Sequence, residues 1–231
     1  MKVAVITGSS RGIGLATAHR FATAGYRVIG LSRQRGGFEG PWLTTDLSRS
    51  DGVAAITDAL IDEIQGADQL VLVHNAATLI SDDIADSDDQ MLQQVFQTNL
   101  IAPIQLNRVL LPWSTPGSSI LYIGSTLSEI AAPMSLSYVT SKHGSLGLMR
   151  ATAIEIAGRG MHSVCICPGV TDTEMARDHF GGAANLEGFV KTRVLLKRAV
   201  TPEEIAEVVF FCAGNPALNG QVIHANLGQA G

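Results

Sequence analysis

A loop of spaced glycines near the start of the chain constrains the fold more than any other feature. The stretch TGSSRGIG, at 7–14, follows a short apolar run and precedes a segment of helical periodicity. Glycines at this spacing between a strand and a helix let the pyrophosphate of a dinucleotide approach the helix N-terminus. We predict that Gly8 permits a tight turn, that Gly12 permits close approach of the ligand, and that Gly14 lets the helix pack on the sheet.

The rest of the chain alternates short apolar runs with helix-like segments. Several runs are apolar on both faces, as in the strands of a parallel sheet that is covered on both sides. The predicted strands are 3–8, 27–33, 42–47, 70–76, 119–125, 162–169 and 220–227. The predicted helices are 13–24, 51–65, 88–111, 137–158 and 202–213. We therefore predict an α/β fold over residues 1–231: a single-domain, Rossmann-type, doubly wound seven-stranded parallel sheet with helices on both faces.

One segment does not fit this alternation. Residues 172–200 follow the end of a predicted strand, contain Gly181-Gly182 and are the least regular part of the chain. A segment of this length in a compact domain is usually functional or contains short helices. We predict that it is a mobile lid over the substrate, within the single domain.

The composition narrows the class of protein. The chain has 231 residues, 46% of them hydrophobic, and its formal net charge of −5 argues against nucleic acid as the main partner. Its three cysteines, Cys165, Cys167 and Cys212, form no disulfide framework and no zinc pattern, which favours a reducing compartment. No apolar run is long enough to span a membrane, and the N-terminus does not resemble a signal peptide. We expect a cytoplasmic protein with no membrane, nucleic-acid or metal partner.

The end of the second predicted strand indicates which dinucleotide binds. In such a fold an acidic residue there bonds the ribose 2′-hydroxyl of NAD, but this chain has Ser32-Arg33. Ser32 can bond a phosphate, Arg33 can neutralise it, and Arg11 of the glycine loop can reach the same region. We predict NADP(H) in preference to NAD(H); the alternative is that Arg33 is a solvated surface charge.

Further motifs follow in a fixed order. Tyr138 and Lys142 stand at i and i+4 of a predicted helix, so their side chains share one face. Ser125 ends the fifth predicted strand, and Asn99 lies in the long helix before it. The other motifs are the glycine loop, Asp46, Asn75-Ala76 and PGVTDT at 168–173. In this order, and over nearly the whole chain, the set resembles the short-chain dehydrogenase/reductase family, in particular 3-oxoacyl-[acyl-carrier-protein] reductases and carbonyl reductases.

The resemblance implies a catalytic set of Asn99, Ser125, Tyr138 and Lys142. A phenol ordinarily loses its proton only at about pH 10, and a neighbouring ammonium favours the phenolate. Tyr138 would therefore act as general acid in reduction and as general base in oxidation. Lys142 would also contact the nicotinamide ribose, Ser125 would bond the substrate oxygen, and Asn99 would hold a water that links Lys142 to solvent.

The resemblance also implies the residues that contact the cofactor. PGVTDT would lie beside the nicotinamide, with its threonines on the carboxamide, and the residues after the third and fourth strands would border the adenosine. The full set is Gly8, Ser10, Arg11, Gly12, Ile13, Gly14, Ser32, Arg33, Asp46, Leu47, Asn75, Ala76, Tyr138, Lys142, Pro168, Gly169, Thr171 and Thr173.

We therefore expect an NADP(H)-dependent oxidoreductase that reduces a ketone or aldehyde to an alcohol by reversible hydride transfer. Its partner would be a small-molecule carbonyl or alcohol, and by resemblance it would form a homodimer or homotetramer through 88–111 and 137–158. One alternative is a 3-oxoacyl-thioester reductase, since Arg159 resembles an arginine that docks an acidic carrier protein. Another is a non-catalytic NAD(P)-binding sensor. A methyltransferase shares a glycine-rich first loop but does not explain the Ser, Tyr and Lys spacing.

Two positions depart from the family pattern. Ala77 stands where the family commonly has Gly, which affects the local turn. The sequence HANLGQ, at 224–229, replaces an Asp-Gly-Gly that often supports subunit contacts in the family. His74 and His143 lie beside site residues, but the sequence indicates no carboxylate partner for either, so both are interpreted as structural.

Overall fold

The computed structural model describes residues 1–229 and contains one seven-stranded sheet. Its strands are β1 (Lys2–Thr7), β2 (Arg27–Ser32), β3 (Trp42–Thr44), β4 (Gln69–His74), β5 (Ser119–Ile123), β6 (His162–Pro168) and β7 (Val222–Ala225). They lie in the order β3-β2-β1-β4-β5-β6-β7, and every neighbouring pair is parallel. The predicted doubly wound parallel sheet is therefore confirmed.

Side chains that alternate along the central strands form two cores, one on each face of the sheet. In β1, Val3 and Val5 belong to one core and Ala4 and Ile6 to the other, and none of the four is exposed. Burial on both faces explains why these strands are continuous apolar runs rather than alternating ones.

Helices cover both cores. They are α1 (Gly12–Thr23), α2 (Thr57–Ile64), α3 (Asp89–Phe96), α4 (Ala102–Leu110), α5 (Leu136–Glu155), α6 (Glu174–His179), α7 (Ala183–Arg193) and α8 (Pro202–Ala213). On one face, α1 and α8 contribute Phe21 and Val209; on the other, α2, α4 and α5 contribute Leu60, Leu106 and Met149. Within residues 1–229, no helix has the length and apolar character needed to cross a membrane.

The chain changes direction across the sheet between β1 and β4. β1 pairs with β2 on one edge and with β4 on the other, so the connections after these two strands leave in opposite directions. Such a switch point opens a crevice at the carboxyl ends of the strands, where ligands of this architecture bind. The glycine loop and Asn75 follow β1 and β4 at this crevice.

The predicted helix at 88–111 is interrupted. A π-helical segment, Gln97–Ile101, separates α3 from α4. Pro103 has no N–H, so it cannot donate to the carbonyl of Asn99 one α-helical turn earlier. The regular ladder therefore cannot run through this point, and such π segments often occur at functional positions.

The segment predicted as a lid is mostly helical. It contains α6 and α7, which are joined through Gly181 (φ +70°) and Gly182 (φ +127°) in backbone conformations that favour glycine. Leu186, Val190 and Val194 form a small apolar cluster of their own. The segment thus has its own packing instead of the irregular structure that its sequence suggested.

Candidate active site

A cavity of about 980 Å³ lies at the carboxyl edge of the sheet. Its lining includes three of the four predicted catalytic residues, Ser125, Tyr138 and Lys142. It also includes every predicted cofactor-binding residue except Gly14. The volume is at the upper end of the range for ligand and cofactor sites.

The glycine loop forms one wall of this cavity. Gly8 and Gly12 have left-handed φ angles of +66° and +53°, which residues with a Cβ rarely adopt. A Cβ on Gly14 would lie 2.2 Å from the carbonyl oxygen of Gly8, so this glycine allows α1 to pack against the loop. Arg11, the N-cap of α1, makes no side-chain capping hydrogen bond. This open helix N-terminus fits a pyrophosphate, because its first N–H groups and the helix dipole both attract an anion.

A buried threonine joins the two strand ends at the switch point. Thr7 Oγ1 accepts hydrogen bonds from the backbone N–H groups of Asn75 and Ala76, each at 2.9 Å. The Asn75 side chain donates in return to the carbonyl oxygens of Thr7, at 3.0 Å, and Gly8, at 3.1 Å. Asn75 thus fixes the turn after β1 that forms part of the cavity wall. Thr7 was not among the predicted site residues, although it lies inside the glycine motif.

The end of the cavity at β2 and β3 carries the residues predicted to bind the adenosine. Asp46 Oδ1 accepts from the Ser48 N–H at 3.0 Å and from the Ser48 hydroxyl at 2.7 Å. Partial burial raises the pKa of Asp46, but these hydrogen bonds and the charges of Arg33 and Arg49 outweigh it and lower the pKa overall. Asp46 is therefore an engaged, ionised carboxylate at neutral pH.

Two cations at this end face the cavity. Arg33 and Arg35 both line it and are exposed. The Ser32 hydroxyl donates to the carbonyl oxygen of Gln34 at 2.7 Å, which folds the intervening turn around Arg33. Arg35 is a cavity residue that sequence analysis missed, because no motif places it.

Arg11 occupies a different place from the one expected. Its Nη1 forms an ion pair with Glu174 at the start of α6 instead of reaching towards Ser32 and Arg33. This pair connects the glycine loop to the lid segment. A Cβ on Gly12 would lie 3.2 Å from Thr173 Cγ2, so loop and lid also touch directly.

Tyr138 and Lys142 lie on the first turns of α5, at the other end of the cavity. Lys142 is 4% exposed, and its Nζ donates to the Ile123 carbonyl oxygen at the end of β5, at 2.7 Å. The same Nζ lies 5.4 Å from the centroid of the Tyr138 ring. A buried ammonium held beside a phenol stabilises the phenolate by direct charge interaction.

Ser125 faces the cavity just beyond β5. Its Oγ accepts from the Leu127 N–H at 3.1 Å, while Ser128 Oγ accepts from the Ser125 N–H at the same distance. This reciprocal cap fixes the Ser125 oxygen and leaves its hydroxyl proton available for donation.

Asn99 is buried away from the cavity lining. Its Oδ1 accepts from the Thr78 N–H at 2.8 Å, and its Nδ2 donates to the Thr78 carbonyl at 3.1 Å and to Ser141 Oγ at 2.9 Å. Ser141 Oγ in turn donates to the Tyr138 carbonyl at 2.8 Å. The Asn99 side chain therefore braces the loop after β4 against α5.

The loop after β6 borders the same end of the cavity. Thr171 Oγ1 donates to the Gly169 carbonyl at 3.0 Å, and Thr173 Oγ1 accepts from the Ala176 N–H at 3.2 Å as the N-cap of α6. Both threonines and Pro168 line the cavity. Their hydroxyls are thus used within the protein to shape this loop.

Several lining residues that were not individually predicted come from 172–200 and from the C-terminal segment. Phe180 and Phe189, from the lid, lie with ring centroids 4.9 Å apart and form an apolar wall. Further residues of the lining are Glu174, Met175, Ala176 and His179 and, from the C-terminal segment, Gln229. Only the irregularity of 172–200 hinted at the lid residues, and no sequence signal indicated Gln229.

The cavity can take a dinucleotide at one end, and at the other end it presents a phenol beside a buried ammonium. This combination is typical of the class of nicotinamide-dependent oxidoreductases. A family model described as enoyl-(acyl carrier protein) reductase matches residues 8–230. The chain belongs to the short-chain dehydrogenase/reductase family, whose members are NAD(P)-dependent enzymes acting on CH–OH and C=O groups.

The alignments with individual relatives cover almost the whole chain. A 3-oxoacyl-[acyl-carrier-protein] reductase of Vibrio cholerae is 28% identical and covers 99% of this chain and 97% of its own. The structure of 4-hydroxyisoleucine dehydrogenase complexed with NADH is 26% identical, with a TM-score of 0.88 and coverage of 99% and 98%. L-Sorbose reductase from Gluconobacter frateurii, complexed with NADPH and L-sorbose, is 26% identical, with a TM-score of 0.87 and coverage of 99% and 96%.

Proposed function

We propose that this protein reduces a ketone or aldehyde to an alcohol with NADP(H), with Tyr138 as the general acid and base. The observation that carries the proposal is the placement of Ser125, Tyr138 and Lys142 in one cavity with the glycine cradle. Buried Lys142 beside the Tyr138 ring gives the phenol a partner that a structural tyrosine does not need.

The division of chemical work follows from the groups present. When bound, the dinucleotide supplies the hydride that reduces the carbonyl carbon. The Ser125 hydroxyl donates a hydrogen bond to the carbonyl oxygen and stabilises the negative charge that develops there. Tyr138 donates its phenolic proton to that oxygen, and Lys142 stabilises the phenolate that results. Asn99 holds the catalytic helix and, in the proposed relay, a water between Lys142 and solvent.

The preference for NADP(H) rests on the charges at the β2 end of the cavity. Arg33 and Arg35 line it, and the carboxylate of Asp46, which also lines it, is engaged by Ser48. A 2′-phosphate would meet two guanidinium groups there, which bind an anion more strongly than a neutral 2′-hydroxyl. The Ser32 hydroxyl donates its proton to the Gln34 carbonyl and offers a phosphate no free donor, so the two guanidinium groups carry the preference. Relatives with NADH and with NADPH are both known, so the charges of this chain carry the preference.

The second candidate is reduction of a 3-oxoacyl thioester, favoured by the Vibrio cholerae relative. The Phe180 and Phe189 wall suits an acyl chain, and Arg159 is exposed before β6.

For both candidate substrates we propose that 172–200 closes over the substrate. We also propose a cytoplasmic homodimer or homotetramer, supported by three free thiols and by exposed Met91, Ile101 and Ile104 on the segment expected to pair.

Replacement of Tyr138 tests the proposed function. NADPH and NADH consumption is first measured with a panel of ketones, aldehydes, quinones, sugars, a 3-oxoacyl thioester and an enoyl thioester. On the best substrate, Tyr138→Phe should lower kcat roughly 100- to 10,000-fold while the NADPH dissociation constant changes little. The matched control is Tyr26→Phe, since the Tyr26 hydroxyl bonds Gln69 outside the cavity. Unchanged turnover in Tyr138→Phe would show that Tyr138 is not the general acid and base. Tight NADPH binding by the wild-type protein, with no turnover on any substrate, would favour a non-catalytic sensor.

A further inference from the structure

Gln229 joins three parts of the active-site end of the molecule. It lies on the segment after β7, and it pairs with Val194 at the end of α7 through an antiparallel bridge. Its side-chain Oε1 accepts from the backbone N–H of Val170 at 2.9 Å. A Cβ on Gly169 would lie 3.0 Å from the same oxygen, so the carboxamide packs closely on the loop after β6.

The Val170 contact fixes which way the carboxamide points. A backbone N–H only donates, so the atom facing Val170 must be the oxygen, and the amide nitrogen must point elsewhere. Within residues 1–229, the hydrogen bonds of Gln229 include no acceptor for its Nε2. The side chain also lines the cavity together with Tyr138 and the two phenylalanines of the lid. An amide donor oriented by one contact and lacking an acceptor is therefore available at the reacting end of the cavity.

We propose that Gln229 is a specificity-determining residue whose Nε2 donates a hydrogen bond to a carbonyl-type oxygen of the molecule bound beside Tyr138. That oxygen belongs either to the substrate or to the carboxamide of the nicotinamide, and both present the same acceptor chemistry. The inference deepens the proposed function and rests on it. It also places the C-terminal segment, where HANLGQ replaces the family's Asp-Gly-Gly, inside the site.

Two variants of equal length separate the donor role from a purely structural one. Gln229→Glu keeps an oxygen for the Val170 N–H but loses the donor, whereas Gln229→Met loses both. If Nε2 contacts the bound molecule, both variants should weaken binding by roughly three- to tenfold, the effect expected for one hydrogen bond. An increase in substrate KM at unchanged NADPH dissociation constant assigns the oxygen to the substrate. An increase in the NADPH dissociation constant, measured by fluorescence without substrate, assigns it to the nicotinamide.

The opposing outcomes are equally specific. Weaker binding in Gln229→Met alone would show that the residue only anchors the Val170 loop. Weaker binding in Gln229→Glu alone would show an effect of the added charge. Either result overturns the proposal. Wild-type binding in both variants overturns it as well. Gln221→Glu, at an exposed position before β7, controls for the added charge, and thermal melting confirms folding. If the wild-type protein reduces no substrate in the panel, the proposed function fails while the NADPH measurement still tests Gln229.

Discussion

At the residue scale, the proposed preference for NADP(H) depends on Arg33. It is exposed beside the cavity and lowers the pKa of Asp46 by its charge, although partial burial of Asp46 opposes this effect. Asp46 is already held by Ser48, so the guanidinium is free to take a phosphate as a stronger, directional partner. A 2′-phosphate would therefore gain more from Arg33 than a 2′-hydroxyl would.

Arg33→Ala should weaken NADPH binding roughly tenfold and leave NADH binding nearly unchanged, since a charged hydrogen bond contributes about 1.5 kcal/mol or more. The two dissociation constants are measured by fluorescence titration at low and high salt. Arg49→Ala is the matched control, because Arg49 also acts on Asp46 but does not line the cavity. An equal loss for both cofactors would show that Arg33 does not read the 2′-phosphate.

Residue positions were predictable where a motif adjoins a strand end. Gly8, Asn75 and Ser125 lie where the sequence placed them because each follows a strong apolar run directly. The partner of Arg11 was not predictable, because Glu174 lies 163 positions away and is brought to it only by the folding of 172–200. Gln229 escaped prediction for the same reason, since its contact with Val170 spans 59 positions.

At the element scale, α5, which carries Tyr138 and Lys142, depends on a cap from outside its own segment. Asp82, 4% exposed, accepts the N–H of Ser137 with both carboxylate oxygens, at 3.1 and 3.2 Å. Its backbone carbonyl accepts the N–H of Leu136, the first residue of α5, at 3.2 Å. The negative carboxylate also complements the helix dipole. Asp82 therefore sets the start of α5, one residue before Tyr138.

Asp82→Ala should lower the free energy of unfolding by about 1–2 kcal/mol and also lower kcat, because the first turn that positions Tyr138 loses its acceptor. Asp82→Asn keeps an amide oxygen and should recover part of both. Asp88→Ala is the matched control: it removes the cap of α3, where Asp88 accepts the Met91 N–H at 2.8 Å, and should reduce stability without changing kcat. Urea unfolding and steady-state kinetics give the two readouts. Equal kcat losses in both alanine variants would assign Asp82 to stability alone.

Local signals predicted the existence of elements better than their limits. Apolar runs identified all seven strands, yet β3 ends at Thr44, since Asp46 and Ser48 bond each other in a turn. Periodicity predicted a helix over 88–111, and Pro103 is the residue that signals its interruption. The cap of α5 had no local signal, because Asp82 is 55 positions from Ser137.

At the scale of the whole molecule, stability depends on a neutral histidine in the interior. Burial lowers the pKa of His74 to about 4, although its hydrogen bond with Asn107 acts in the opposite direction. His74 Nε2 lies 2.8 Å from Asn107 Oδ1, an atom that only accepts, so Nε2 carries the proton. Among residues 1–229, His74 Nδ1 is buried without a partner, and protonating it would leave a charged donor unsatisfied in the core.

This arrangement predicts a loss of stability on mild acidification. The unfolded chain binds a proton at His74 near the ordinary pKa of 6.5, while the folded protein does so only at about 4. Between these values the unfolded state binds more protons, so the free energy of unfolding falls as pH falls, by about 3 kcal/mol in all. Glu204, whose pKa is lowered to about 2 chiefly by its hydrogen bond with Arg198, contributes only below its ordinary 4.5. The hydrogen bond with Cys165 lowers the pKa of Cys167 to about 7, so Cys167 contributes chiefly above pH 6. The window from pH 6 to 5 therefore reports chiefly on His74.

Urea unfolding at several pH values across this window gives the slope of the free energy of unfolding against pH, which His74→Gln should reduce by about 1 kcal/mol per pH unit relative to the wild type. His19→Gln, at an exposed position, is the control and should keep the wild-type slope. A wild-type slope in His74→Gln would mean that His74 is protonated in the folded state.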